Sequence, residues 1–234
     1  MATATIETRD GAQMGAHLSL PEAGQGPGLL VLMEIFGVGS YIRRATERLA
    51  ALGCVALAPD LYRRIAPGLE VEHDQNGLAR AMETMKRFDP QGAVEDSLAA
   101  LAALRGRPET AGHPVGVLGF CLGGTLAYEV AAAADPAVAV CYYGSRIAAD
   151  LGRADQIACP VLFHFGAEDQ YIPLADAERV CAVAAERSDW ECHIDPDGGH
   201  AFDNHDSPMF FRPRAAARAW EITRQFLARH LGDA

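Results

Sequence analysis

The sequence predicts an α/β fold, a mostly parallel sheet wrapped by helices and opened by an N-terminal β-hairpin, and three observations carry that reading. Segments with strand character alternate with segments of helical periodicity along nearly the whole chain. The internal strand candidates are short, continuously apolar runs, as strands covered on both faces require. At 234 residues, half of them hydrophobic, the chain is long enough to fill a substantial core, so a single domain spanning 1–234 is expected.

The elements follow in order. Two short segments, 3–7 and 13–18, flank Asp10-Gly11, a dipeptide suited to a hairpin turn. A strand at 28–33 then leads into helical periodicity over 42–52, and a strand at 54–57 follows. Helical patterns at 78–86 and 92–104 are separated by Asp89-Pro90-Gln91-Gly92, a break between two helices. The apolar run 115–119 precedes an alanine-rich helix over 122–134. Strands at 137–143, 161–165 and 190–194 interleave with helices at 175–187 and 213–229.

The formal charge of −11 argues against a nucleic-acid or anionic-membrane partner, which would need a basic patch that Arg43-Arg44 and Arg63-Arg64 are too few to build. The chain does not open with a charged start and an apolar stretch, and no run approaches the length of a membrane span, so a cytoplasmic protein is expected. Monomer is the favoured state. The six cysteines (Cys54, Cys121, Cys141, Cys159, Cys181, Cys192) are dispersed and mostly in apolar contexts, which reads as reduced core thiols without a disulfide or zinc framework.

Gly119-Phe120-Cys121-Leu122-Gly123-Gly124 joins the strand at 115–119 to the helix at 122–134. Glycines there allow a tight turn and close approach of helix and strand, which lifts Cys121 to the carboxyl end of the sheet as a nucleophile elbow. Ligands of such sheets bind at the carboxyl ends of the strands. Gly166-Ala167-Glu168-Asp169 follows the strand at 161–165, and Asp197-Gly198-Gly199-His200 follows the last strand. The order Cys121, Asp169, His200 matches the nucleophile, acid and histidine order of the α/β-hydrolase fold, with cysteine in place of serine. In that arrangement His200 accepts the thiol proton and later activates water, while Asp169 fixes the imidazole tautomer. Taken singly each residue has a blander role: a structural thiol, a loop or cap acid, a solvated histidine.

Met33-Glu34-Ile35-Phe36-Gly37 ends the strand before the first long helix. The loop after this strand supplies one oxyanion-hole N–H and the residue after the nucleophile supplies the other, so the backbone amides of Ile35 and Leu122 form the expected pair. Glu34 would then lie near Cys121 and raise the thiol pKa by like-charge repulsion; the alternative is an ordinary strand-end acid facing water.

Glu34-Ile35-Phe36-Gly37, the elbow, Glu168-Asp169 and Gly199-His200-Ala201-Phe202 together resemble the dienelactone hydrolase family over nearly the whole chain, in order. The resemblance implies a cytosolic, cofactor-free ester or lactone hydrolase (carboxymethylenebutenolidase-type chemistry) with a Cys-His-Asp triad, in which the glutamate at the Glu34 position pairs with the resting thiol. It also implies arginines that hold a substrate carboxylate, one of them at the position of Asn204. That departure bears on the substrate rather than the chemistry, because an asparagine donates hydrogen bonds without charge. Arg80, Arg146 or Arg212 would have to substitute. Phe36, Tyr143, Arg80, Arg146, Phe202 and Asn204 form the candidate substrate-binding set.

Competing readings differ at definite residues. A class I glutamine amidotransferase also carries a cysteine elbow, but its histidine is followed two residues on by glutamate, where Phe202 stands here. A redox-sensing thiol wants a resolving cysteine nearby, and a non-catalytic binding protein on the same fold would not need the full Cys-Asp-His set. His200, Asp203, His205 and Asp206 match neither a zinc helix motif nor a calcium loop, so no metal is expected.

Overall fold

The computed structural model describes residues 4–232. Its strands are β1 (Ala4–Glu7), β2 (Gln13–Ser19), β3 (Gly28–Leu32), β4 (Val55–Pro59), β5 (Val115–Phe120), β6 (Ala139–Tyr142), β7 (Val161–Gly166) and β8 (Trp190–Asp195). They form one eight-stranded sheet in the order β1-β2-β4-β3-β5-β6-β7-β8. Only β1 with β2 and β2 with β4 pair antiparallel; every later pairing is parallel. The hairpin turns where expected. Gly11 has φ 75°, and the Asp10 carboxylate accepts hydrogen bonds from the Thr8 hydroxyl at 2.5 Å and the Ala12 N–H at 3.2 Å. Residue 3, the expected start of the first strand, lies outside the described residues.

Every residue of β3, β4, β5, β6 and β7 is buried, so both faces of the central sheet are covered. The covering helices are α1 (Ser40–Ala50), α2 (Gln75–Met85), α3 (Pro90–Arg105), α4 (Leu122–Ala134), α5 (Leu174–Ala185) and α6 (Pro213–Leu231). Asp74 caps α2 by accepting from the Gly77 N–H at 2.7 Å, and Asp89 caps α3 by accepting from the Gln91 N–H at 3.1 Å with Pro90 in the first turn. Helix α3 packs against α4. Helices α1 and α6 meet where the Arg48 guanidinium lies 3.9 Å from the centroid of the Trp220 ring.

Two expectations need correction. The strand expected over 54–57 is shifted to Val55–Pro59, because pairing with β2 continues through Pro59, opposite Ala16. The cysteines are not all reduced core thiols, since Cys181 on α5 and Cys192 on β8 are joined by a disulfide. Helix α5 packs directly on β8, and nothing in the local sequence announces that contact. Cys54, Cys141 and Cys159 are buried free thiols.

Strand β8 closes one edge of the sheet. Glu191, His193 and Asp195 alternate along it and share a face, and α6 lays Arg229 and Arg218 over that face as ion-pair partners of Glu191 and Asp195. Among the described residues no helix is long and apolar enough to cross a membrane.

Candidate active site

Between β5 and α4 the chain reverses at Cys121, which has φ 54° and ψ −112°, a conformation that L side chains rarely adopt. Packing enforces it. A Cβ at Gly123 would lie 2.1 Å from the Leu32 carbonyl oxygen of β3, and one at Gly119 would lie 1.9 Å from the carbonyl oxygen of Gly123. The Cys121 N–H donates to the Tyr142 carbonyl at 3.0 Å, tying the turn to β6. Among the described residues four non-glycine positions have positive φ, and three of them (Cys121, Tyr143, Ala201) cluster here, each following or adjoining a sheet end. Such conformations cost about 1–3 kcal/mol apiece and persist only where the surroundings overdetermine them.

The loops after β7 and β8 bring two more side chains to the same place. Nε2 of His200 lies 3.1 Å from Cys121 Sγ, and Nδ1 of the same ring lies 2.8 Å from Asp169 Oδ2. Asp169 is itself fixed, since Oδ1 accepts from the N–H groups of Tyr171 at 2.8 Å and Ile172 at 3.0 Å. The bond to Asp169 defines which ring nitrogen carries a proton and leaves Nε2 to exchange one with sulfur. Burial disfavours a charge on His200, but the charge of Cys121 and the hydrogen bond and charge of Asp169 outweigh it and raise the imidazole pKa to about 11. The ring is buried, and the Tyr171 ring meets it edge-on at a centroid distance of 4.9 Å.

Two cavities open on the sulfur. A cleft of about 540 Å³ is bounded by Leu122, Thr125 and Leu126 of α4, Val94 of α3, Met85 of α2 and Arg146 of the loop after β6. A pocket of about 150 Å³ lies on the other side, between His200 and the apolar side chains of Phe36, Leu78, Met82, Tyr171 and Phe210. Among the described residues, only Ile35, Cys121 and Ser145 border both. Among the described residues, the backbone N–H groups of Ile35 and Leu122 donate to no protein acceptor. Tyr62 donates its hydroxyl hydrogen to the Ile35 carbonyl at 2.7 Å, which holds the strand-end peptide in place.

Glu34 is 1 % exposed, so it is not a strand-end acid facing water. Its Oε2 accepts from Asn204 Nδ2 at 2.6 Å, whereas Oε1 has no hydrogen-bond partner among the described residues. Burial pushes the carboxyl up to about 7, against the opposing charge of His200 and the Asn204 hydrogen bond. The second N–H of the Asn204 amide faces His73 Nδ1, 2.8 Å away, and the His73 ring stacks on Phe36 at 4.3 Å. Burial holds His73 below its ordinary value, in keeping with a neutral ring that accepts at Nδ1.

The sequence model of the dienelactone hydrolase family matches residues 14–231. The chain belongs to the dienelactone hydrolase family. A carboxymethylenebutenolidase of a Pseudomonas species is 37 % identical over 226 residues, covering 96 % of this chain and 94 % of its own. The carboxymethylenebutenolidase of Pseudomonas putida is 32 % identical over 225 residues, with the same two coverages of 96 % and 94 %. A dienelactone hydrolase-like promiscuous phosphotriesterase from metagenomic libraries superposes with a TM-score of 0.80 at 26 % identity, covering 98 % of each chain. The fold is the α/β-hydrolase fold, and the protein is a hydrolase of the dienelactone hydrolase type.

Against that family, several expected residues stand elsewhere. Cys121 faces His200 rather than Glu34, and Glu34 takes Asn204 as its partner. Asn204 is fully buried and borders neither cavity, because its amide is consumed by Glu34, His73 and the Asp206 N–H. Arg80 lies on the exposed side of α2, outside both cavities, while Arg146 borders the larger one. Phe36 lines the smaller pocket. Tyr143 and Phe202 are fully buried and pack on one another with ring centroids 5.2 Å apart, behind His200. His73 and Tyr171 escaped the sequence reading. Tyr171 was within reach, since an Asp at a strand end commonly accepts from the N–H two residues on; His73 shows no local pattern.

Proposed function

We propose that the protein cleaves carboxylic esters or lactones through a thioester formed on Cys121. The observation that carries this reading is the hydrogen-bonded chain from Asp169 through His200 to Cys121, set at the mouth of a cleft beside two unpaired N–H groups. The thiol proton rests on Nε2, so Sγ attacks the acyl carbon as a thiolate, and the carbonyl oxygen, now anionic, turns toward the N–H groups of Ile35 and Leu122. Collapse breaks the C–O bond, and the proton on Nε2 passes to the leaving oxygen. A water then adds to the thioester carbonyl, giving its proton to Nε2; the C–S bond breaks and sulfur leaves as the thiolate beside the imidazolium, which restores the resting pair. With a lactone the leaving oxygen stays tethered and the product is a single hydroxy acid. Asp169 keeps Nδ1 protonated and stabilises the imidazolium in both halves.

Cys54, Cys141 and Cys159 are buried, and Cys181 and Cys192 are already joined to each other, so among the described residues no exposed free thiol stands ready as a resolving partner, which argues against a redox-sensing role. The test is acid quenching during turnover of a p-nitrophenyl ester, followed by peptide mass mapping. The expected result is an acyl mass on the Cys121 peptide and a loss on the order of 10³-fold in kcat for Cys121→Ala. Parental turnover by Cys121→Ala would end this proposal.

A further inference from the structure

The sulfur stands at the junction of two cavities of unequal size, and the groups on either side of it are different. The larger cleft, about 540 Å³, is bordered by Leu122, whose N–H lies on the oxyanion side, and by the first turns of α4. The smaller pocket, about 150 Å³, is the one that His200 borders. His200 does not border the cleft, and Leu122 does not border the pocket.

Those positions constrain how a tetrahedral intermediate sits. Its carbon carries the sulfur, the oxyanion, the alkoxy oxygen and the acyl chain. The oxyanion points to the N–H pair, and the alkoxy oxygen must point to Nε2, since that nitrogen delivers the proton on which the alcohol leaves. The alcohol portion is therefore directed toward the pocket that His200 borders. The one direction left for the acyl chain is the larger cleft.

Resting on the thioester reading above, we propose that the larger cleft is the acyl site and the smaller pocket the alcohol site. The substrate class is then an ester joining a bulky acid to a small apolar alcohol, or a lactone carrying its bulk on the acid side. An apolar cavity near 150 Å³ holds about one benzene-sized group, which sets the ceiling on the alcohol. A cleft of 300–1,000 Å³ holds a ligand of roughly drug size. The pocket's lining is apolar apart from Glu34 and His200 at its inner end, the Tyr171 hydroxyl and Ser145 at the junction, so a charged alcohol has no partner at its outer end, where Leu78 and Met82 stand.

The experiment uses alcohols of matched basicity, so that size alone varies. With acetate as the acid, kcat/KM is measured for methyl, benzyl and naphthylmethyl esters; with methanol as the alcohol, it is measured for acetate, 4-phenylbutanoate and 4-naphthylbutanoate. The expected result is a fall of about tenfold or more from benzyl to naphthylmethyl, and a rise of about tenfold or more from acetate to the aryl acids. Met82→Trp should lower the benzyl to methyl ratio, and Val94→Trp the phenylbutanoate to acetate ratio, each leaving the other ratio within about threefold. A naphthylmethyl ester as good as the benzyl ester, with aryl acids excluded, reverses the two sites and overturns the assignment while the acyl mass on Cys121 still stands. Absence of any acyl mass on Cys121 removes the thioester itself, and the assignment with it.

Discussion

At the scale of single residues, the meeting of Cys121, Asp169 and His200 was legible because each follows a strand and the fold gathers strand ends at one place. The surroundings of Glu34 were not. Its partner Asn204 is 170 residues away in sequence, and His73 reaches Asn204 across 131 residues, so no local pattern could reveal a buried carboxyl held by an amide. That burial makes a prediction about stability. The folded carboxyl titrates near 7 against an ordinary value of 4.5, so folding binds its proton more tightly. Its stabilising contribution is complete below about pH 4.5 and is lost as pH rises through about 7. Glu34→Gln, which cannot ionise, should therefore gain in Tm relative to the parent between pH 5 and pH 8; a difference that does not change with pH would show the carboxyl to be solvated in solution. Asp169, proposed above as the acid that orients His200, gives a second prediction. Asp169→Asn keeps an oxygen for the Tyr171 and Ile172 N–H groups, so the loop should hold, but its amide cannot fix the tautomer as a carboxylate does. Activity should drop on the order of 10³-fold with little loss of Tm, whereas Glu168→Gln should stay within a few-fold. Swapped severities would move the acid to Glu168.

Among the elements, the central strands and the long helices were readable from continuous apolar runs and from helical periodicity, with ends displaced by only a few residues. Less legible were the short 3₁₀ segments at Pro108–Thr110, Ile147–Ala149 and Leu151–Gln156, each too short for a period to register. The elbow was visible as a glycine pattern, but the reason for each glycine came only with the packing. Gly123 is pressed against the backbone of β3, a neighbour that cannot yield as a flexible side chain could. Gly123→Ala should cost about 3 kcal/mol or more, which for a domain of this size lowers Tm by roughly 6–12 °C. The matched control is Gly152→Ala, where nothing lies within 4 Å of the added Cβ. Calorimetry of the two variants side by side checks this, and equal melting temperatures would mean that the strand and helix part to make room.

For the molecule as a whole, the α/β class and the order of its layers followed from the alternation of elements, since parallel strands joined through helices leave few topologies open. The thiol chemistry did not follow. Spacing says nothing about which side chains meet when α5 folds onto β8, and the Cys181 to Cys192 link was invisible to it. The structure predicts a stepwise thiol count: about one reactive group in the native protein, from Cys121, four after denaturation without reductant, and six after reduction. Six without reductant would remove the link; two or more in the native state would mean that a core cysteine is reached.

The charged face of β8 also bears on how copies of this chain behave at high concentration. An outermost strand offers unpaired N–H and C=O groups to any other extended segment, and a flat apolar edge would recruit one. Here an incoming strand would have to settle beside Glu191, His193 and Asp195 and disturb the arginines that α6 has already placed over them. In both ion pairs the arginine is exposed while the carboxylate is partly buried. The consequence to expect lies in refolding yield, since an edge strand flanked by charges disfavours edge-to-edge pairing of half-folded chains.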